Sequence, residues 1–355
     1  MTDVRAATRT RRIAWAIARY IVGVGIGTLI FILLAGKRGE FVAALHHVAH
    51  LDFAWAAGAL LAEILSIIGY AFIQQSVLRW SGAELSLASL TLVSLANNAI
   101  AYTVPGEPAV SSAYRYRFYR RHGASGASGG WTILTILIAQ AIGMSLLLLI
   151  GVLVALAGHS GVQARGTVFV GLFVVVIAGA LLVRRDLLLR FLGSLVRLFQ
   201  RLTGHPRGDV GARIESTLER MRQIPLSRGA ALWLVTMATA LWLTDFLVLV
   251  CCFGAVHAPI PWSGVLLAFG VAQIVASLPL IPGGVGIVEG SLAVILVAYG
   301  ARKVPALAVV LVFRLLTFWL VIIVGWLAVG VIEWRVHRSP RAESLDSPVA
   351  HATDI

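Results

Sequence analysis

The chain has 355 residues, of which 59% are hydrophobic and 13% are charged, and its mean hydropathy is +0.90. Soluble domains carry about 25% charged residues, so this composition excludes an ordinary soluble protein and predicts an all-α polytopic membrane protein. The net charge is +13. Because the basic residues lie mostly between apolar runs, the positive-inside rule explains this charge, and we expect no nucleic-acid partner.

Six apolar runs are long enough to cross a bilayer, which takes about 20 residues of helix. The first run follows four arginines but exceeds the roughly 7–15 residues of a signal-peptide core, so we expect it to be retained as a span. Two further apolar regions, 85–108 and 262–300, contain Pro-Gly elements and are expected to form re-entrant or broken helices. We predict full spans at about 13–34, 53–74, 130–157, 166–183, 229–254 and 305–332.

The basic segments between the spans predict the orientation of the chain. Residues 1–12 and the loop 184–228, which holds ten arginines against four acids, are expected to be cytoplasmic. The transmembrane domain then covers 13–335, and the polar tail 336–355 is expected to be disordered and cytoplasmic. We therefore expect a multi-pass protein of the cell membrane with both termini in the cytoplasm.

The predicted elements occur twice in the order span, span, broken region, span. The first set starts inside the cell and the second starts outside, which is the arrangement of an inverted-topology repeat. In such repeats, broken helices from the two halves meet and form the substrate site. Paired short spans in place of a re-entrant hairpin, at 85–108 or at 262–300, stay open as an alternative.

The second broken region contains the strongest local signal, "SLPLIPGGVGIVEG", which begins at Ser277. Its prolines remove backbone donors, and its glycines permit a turn and a close approach of the backbone. The restarted helix would present free N–H groups, which favour an anion such as a phosphate. The alternative is a tight turn between two short packed helices. The candidate pathway residues here are Pro279, Pro282, Gly283, Gly284 and Gly286.

Ionisable side chains are rare within membrane helices and mark pathways or paired charges. Four of them lie well inside the predicted apolar segments: Glu63, Asp245, Glu289 and Arg314. Arg314 stands nine residues into the last predicted span, about 13–14 Å deep at 1.5 Å per residue. It needs a partner, and Glu289 and Asp245 are the candidates. Such a pair could lock the bundle, or Arg314 could contact a lipid phosphate, while the other acids could couple movement to protons.

The first broken region combines polar, Pro-Gly and basic elements. Two adjacent asparagines precede "VPGEPA", and "SSAYRYRFYRRHG" then interleaves aromatic and basic side chains. Aromatic and basic residues suit the level of the lipid headgroups, either as an interfacial anchor or as a site that recruits headgroups. The candidate pathway residues in this region are Asn97, Asn98, Pro105, Gly106, Glu107, Arg115 and Arg117.

The pattern P-x-x-P-G-G-V-G-x-x-E that begins at Pro279 resembles the flippase-like transmembrane family of lysylphosphatidylglycerol synthases. Gly300, Arg314 and Gly325 match that family's helix end, last-span arginine and following glycine. Upstream, "PGEPAVSSAYRYRFYRRHGAS" resembles the family's first Pro-Gly element and its basic helix. The resemblance covers about residues 13–335 and implies a membrane domain that moves lipids between leaflets.

Two departures from the family bear on function. Where other members often have glycine or a basic residue after the first Pro-Gly, this chain has Glu107 and Pro108. A carboxylate there could change the headgroup preference or couple movement to protons. The synthases also carry a soluble aminoacyltransferase domain, whereas about twenty polar residues follow the last predicted span here. The resemblance therefore implies the lipid-moving half without the aminoacyl-transfer half.

We expect a flippase-like lipid translocase for a phospholipid, aminoacylated or other anionic headgroup, with membrane lipids as its partners. The sequence contains no nucleotide-binding loop, metal-ligand spacing or catalytic constellation, so we expect no cofactor, no metal and no enzymatic activity. One alternative is a membrane-embedded transferase that acts on a lipid-phosphate substrate. Another is a partner subunit that docks a separate soluble enzyme on the loop 184–228. A homo-oligomer is compatible with each.

The inverted arrangement predicts that the two Pro-Gly elements open to opposite faces of the membrane. In Gly106→Cys and Gly284→Cys variants, a membrane-impermeant thiol reagent should reach the first cysteine from the cytoplasmic face and the second from the other face. Labelling of both cysteines from one face alone would rule out the inverted arrangement.

Overall fold

The computed structural model describes residues 51–104, 107–158, 226–277 and 282–338, and all regular structure in these ranges is helical. A short 3₁₀ turn, Pro282–Gly284, precedes α7, and a π-helical segment, Leu315–Leu320, joins α8 to α9. The helices are α1 Phe53–Trp80, α2 Leu87–Thr103, α3 Glu107–Arg121, α4 Gly126–Gly158, α5 Arg228–Ala255, α6 Val265–Ser277, α7 Ile287–Ala298, α8 Lys303–Arg314 and α9 Val321–Arg338.

The prediction of an all-α polytopic membrane protein is confirmed. Within the described ranges, four helical runs are long and apolar enough to cross a membrane: α1, α4, α5 and the continuous run from α8 through α9. They coincide with four of the six predicted spans and extend past them by up to six residues. Polar N-caps define two of the starts, since Asp52 and Ser227 accept backbone N–H groups of α1 and α5. The other two predicted spans, 13–34 and 166–183, lie outside the described residues.

The region 262–300 consists of a helix, an interruption and a second helix, whereas the region 85–108 holds α2, and the second helix, α3, begins only at its end. In the second region, α6 and α7 have 13 and 12 residues, or about 18–20 Å at 1.5 Å per residue. A hydrocarbon core is about 30 Å thick, so neither helix can cross it alone. Each of the two helices is therefore shorter than a full span. In the first region, α2 and α3 have 17 and 15 residues and flank the predicted Pro-Gly element.

The helices α1 and α5 are counterparts in the two halves of the chain. Each has 28 residues, and each ends in the same backbone turn. The N–H groups of Gly82 and Ala83 donate to carbonyls three and five residues earlier, and those of His257 and Ala258 do the same. This is the Schellman arrangement, which needs a left-handed residue. Gly82 has φ 79° and His257 has φ 55°.

A second turn also occurs twice, where each broken region joins the last span of its half. The N–H groups of Gly123 and Ala124 donate to carbonyls three and five residues earlier, and those of Gly300 and Ala301 repeat this pattern. The two glycines have φ 92° and 99°. In both halves, the next helix begins three residues after the glycine. The two halves therefore share one backbone plan although their side chains differ.

The two halves run in opposite directions. The N–H of Asp52, at the start of α1, donates to the carbonyl of Ala255, at the end of α5, over 2.9 Å. At the other end of this helix pair, the rings of Trp80 and Trp233 lie 5.5 Å apart in an edge-to-face contact. The counterparts α1 and α5 are thus antiparallel, which is the relation that an inverted repeat requires.

The first helix of each broken region packs against the last span of the other half. Gly325 of α9 lies against the backbone of α2, where an added Cβ would collide with the carbonyl oxygen of Leu95. Gly151 of α4 likewise lies against α6, where an added Cβ would be 2.9 Å from the N atom of Leu267. Small residues permit such close approach of helix backbones in membranes. These two contacts interlock the halves.

The close approach at Gly325 predicts that the position tolerates no side chain. Gly325→Ala should lower the free energy of unfolding by about 1–3 kcal/mol, as overpacking of a filled interior does. Gly330→Ala on the same helix meets nothing within 4 Å and should be neutral or stabilising. Thermal midpoints of the purified variants in detergent would measure this difference, and equal midpoints would contradict the packing of α2 on α9.

Candidate functional site

The turn between α6 and α7 depends on glycines with left-handed backbone. Gly283, Gly284 and Gly286 have φ 64°, 62° and 86°, which side-chain-bearing residues rarely adopt. At Gly283 there is also no room, because an added Cβ would collide with the ring of Phe318 and lie 3.2 Å from the carbonyl oxygen of Tyr102. The predicted turn is therefore present, and Pro282 opens it. Pro279 lies outside the described residues.

Glu289 satisfies the start of the helix that resumes after this turn. Its Oε2 accepts the backbone N–H of Gly286 over 2.6 Å, and its Oε1 accepts Nε–H of Arg314 over 2.6 Å. The first N–H groups of a helix have no partner within the helix. A carboxylate at this position supplies one and also suits the positive end of the helix dipole.

Arg314 is held from three sides. Besides Glu289, its Nη2 donates to the carbonyl oxygen of Gly283 over 2.8 Å, and its guanidinium lies 4.0 Å from the ring centre of Phe318. Only 7% of the residue is exposed. Of the two predicted partners, the structure therefore selects Glu289 and not Asp245. We call Gly283, Gly286, Glu289, Arg314 and Phe318 the Arg314 cluster.

The two broken regions meet at this cluster. Tyr102, in the last turn of α2, packs its ring against Phe318 with 5.0 Å between ring centres, and its carbonyl oxygen faces Gly283. The next residues of the first break, Pro105 and Gly106, lie outside the described residues, and Glu107 begins α3. The end of α2 thus abuts the turn of the other half, as the inverted repeat predicts.

A second polar cluster lies among α1, α2 and α3 and centres on Arg115. Nη1 of Arg115 donates to the hydroxyl oxygen of Tyr70 over 2.5 Å, and the guanidinium lies 5.4 Å from the centre of that ring. In the amide orientation that pairs every donor with an acceptor, Asn97 accepts Nη2–H of Arg115 over 2.6 Å and donates to the carbonyl oxygen of Ser111 over 2.7 Å. Asn97 thereby joins α2 to α3.

A buried chain of hydrogen bonds extends this cluster. The hydroxyl of Tyr119 donates to Oε1 of Gln74, Nε2 of Gln74 donates to Oγ of Ser94 over 2.7 Å, and Ser94 donates to a carbonyl of its own helix. All three side chains are buried. We call Tyr70, Gln74, Ser94, Asn97, Arg115 and Tyr119 the Arg115 cluster.

The two arginines differ in how their charge is neutralised. Arg314 has Glu289, whereas no carboxylate lies within 4.0 Å of Arg115 among the side chains that the structure describes. Nε of Arg115 is buried and has no hydrogen-bond partner. Arg115 is thus a cation held by neutral groups.

Glu63 and Asp245 form a separate acidic pair between α1 and α5. The antiparallel register places them opposite each other, between the Gly58–Cys251 and Gly69–Leu241 contacts. Glu63 is 9% exposed. Neither acid is among the hydrogen-bond or ion-pair partners of Arg314 in the described part of the chain.

Two predicted residues do not converge on either cluster. Asn98 is half-buried, and its side chain makes none of the hydrogen bonds found in the described part of the chain. Arg117 is exposed on α3. The sequence analysis in turn missed Tyr70, Gln74 and Ser94. The adjacent glutamines Gln74 and Gln75, within an otherwise apolar helix, are the signal that could have pointed to them.

The Arg314–Glu289 pair predicts a large effect on stability. Arg314→Gln leaves a partly buried carboxylate without its cation and should lower the free energy of unfolding by an amount toward the lower end of about 3–5 kcal/mol. Arg302→Gln removes the same charge from an exposed position just before α8 and should change stability little. Thermal midpoints would separate the two; similar midpoints would mean that the pair does not hold the turn.

Two comparisons with known proteins bear on this arrangement. The family model described as the lysylphosphatidylglycerol synthase TM region matches residues 20–325, which include both clusters. A UPF0104 membrane protein of Methanothermobacter thermautotrophicus is 29% identical over 154 residues. That alignment covers 43% of this chain and 43% of the relative, so less than half of the relative's length is matched.

Proposed function

The chain belongs to the family of lysylphosphatidylglycerol synthase transmembrane regions, and on this premise we propose that it is a flippase-like lipid translocase. It would move an anionic or aminoacylated phospholipid headgroup between the leaflets of the cell membrane. One observation carries the proposal: the broken regions of two oppositely oriented halves meet, with Tyr102 of one against Gly283 of the other. Inverted-repeat transporters bind their substrates at such meeting points.

The chemistry of the two breaks suits a lipid headgroup. A non-helical backbone within a membrane is tolerated where it is buried in protein or lines a water-filled cavity. Arg115 lies on α3, the helix that follows the first break, and Arg314 of α8 donates to Gly283 in the second break. Cationic side chains match the phosphate of a phospholipid.

The packing of the two halves suggests how a lipid would be moved across the membrane. Each half places its broken region on the last span of the other, so a rocking motion of one half would open the meeting point first to one leaflet and then to the other. A π-helical segment directly follows Arg314. Such insertions in α-helices often occur at functional sites. In this proposal the protein transports lipids and carries out no covalent chemistry, so no residue is assigned as catalytic.

A proteoliposome assay tests this function. Purified protein is reconstituted with fluorescent phosphatidylglycerol or its lysyl derivative, and a membrane-impermeant quencher reports how fast lipids exchange between leaflets. The wild type should exceed protein-free liposomes. Glu289→Gln should slow exchange by roughly 10- to 100-fold, the rate equivalent of losing a charged hydrogen bond of about 1.5–3 kcal/mol.

Gly330→Ala is the matched control, since its added methyl group meets nothing within 4 Å, and it should exchange lipids at the wild-type rate. Absence of exchange for every headgroup, in a wild-type protein shown to be folded, would contradict the translocase. It would favour a lipid-phosphate transferase or a partner subunit of a soluble enzyme.

A further inference from the structure

We propose that Arg115 is the residue that binds the headgroup phosphate, in a site formed by the Arg115 cluster within the first half of the chain. This inference rests on the proposed function for the source of the phosphate, a phospholipid. The site itself rests on the contacts of Arg115. In this assignment Arg115 alone binds the phosphate, and Arg314 does not share that role.

The first step is the unbalanced charge. A charged side chain within a membrane is costly unless it is paired or faces a polar cavity. Arg115 hydrogen-bonds to a phenol and an amide, and among the described side chains no carboxylate lies within 4.0 Å of it. Neutral partners orient the guanidinium but leave its charge uncompensated. An anionic ligand would supply the missing charge.

The second step is the number of donors still free. A guanidinium has five N–H groups in one plane. Two are used by Tyr70 and Asn97, and Nε has no partner. The residue as a whole is half-buried, and the free Nε lies beneath the surface of the cluster. Phosphate oxygens match the spacing of adjacent guanidinium N–H groups and form charge-assisted hydrogen bonds with them.

The third step is preorganisation. The ring of Tyr70 lies 5.4 Å from the guanidinium carbon, Asn97 is anchored to the carbonyl of Ser111, and Tyr119 is anchored to Gln74. Three helices thus hold the site in place before a ligand arrives. A binding group that is already oriented loses less conformational entropy on binding.

The fourth step is location. Tyr70 lies ten residues before the end of α1, about 15 Å along the helix axis, and four residues before the end of the predicted span 53–74. From Arg115, α3 continues to the exposed Arg120 and to Arg121, which lies 4.0 Å from Glu333 at the far end of α9. A headgroup attracted to this basic end could follow α3 inward to Arg115.

Arg314, by contrast, is already paired with a carboxylate. Its Nε and Nη2 are bound by Glu289 and Gly283, and its face is covered by Phe318. A phosphate there would have to displace a carboxylate that also holds the start of α7. The two arginines therefore have different roles: Arg314 stabilises the break, and Arg115 binds the ligand.

Native mass spectrometry of the full chain in detergent tests this assignment without measuring transport. The probes are phosphatidylglycerol, a diacylglycerol with the same acyl chains, and inorganic phosphate. Arg115→Gln should weaken phosphatidylglycerol binding by about 10- to 100-fold and leave diacylglycerol binding unchanged. Arg79→Gln, which removes the same charge at an exposed position near the end of α1, should bind as the wild type does.

Arg115→Lys provides the second variant in case Arg115→Gln does not fold. It keeps the charge but loses the planar fork, so phosphatidylglycerol binding should weaken by a smaller factor. Unchanged phosphatidylglycerol binding in either folded variant would overturn the assignment. If inorganic phosphate binds at Arg115 as tightly as phosphatidylglycerol does, a phospholipid is not the source of the bound phosphate group. Arg115-dependent binding without leaflet exchange would contradict the translocase and leave the binding site intact.

Discussion

The ion pair between Arg314 and Glu289 allows a broken helix to exist inside this membrane protein. An unsatisfied backbone group in lipid costs several kcal/mol, and the turn at Gly283 exposes both donors and acceptors. Arg314 donates to the carbonyl of Gly283, Glu289 accepts the N–H of Gly286, and each neutralises the charge of the other. With the turn held, Phe318 can support Tyr102, and the two halves can meet.

The inverted repeat reproduces a backbone, not a set of charges. In the register that Gly123 and Gly300 define, Glu289 corresponds to Ser112 on α3. The second half therefore has an acid at this position, where it pairs with an arginine. The other half has a neutral residue there, and its Arg115 is left without a carboxylate among the described residues. This difference underlies the distinct roles that we propose for Arg314 and Arg115.

The sequence predicted some of this arrangement and could not predict the rest. The apolar run beginning at Phe53 predicted a span, and the glycines around Gly283 predicted a turn, because both signals act between neighbouring residues. The pairing of Arg314 with Glu289 was one of two options in the sequence. The contact of Arg115 with Tyr70 was not anticipated, since a tyrosine in an apolar helix is ordinarily a packing residue.

The sequence by itself determined the class of this protein. Hydrocarbon accepts only backbones that satisfy their own hydrogen bonds, so long apolar runs must be helices and Pro-Gly elements must interrupt them. Only the tertiary structure decided which charges meet. Arg314 and Glu289 are 25 residues apart and Arg115 and Tyr70 are 45 residues apart. Contacts over such separations depend on how helices pack, and local sequence does not specify that packing.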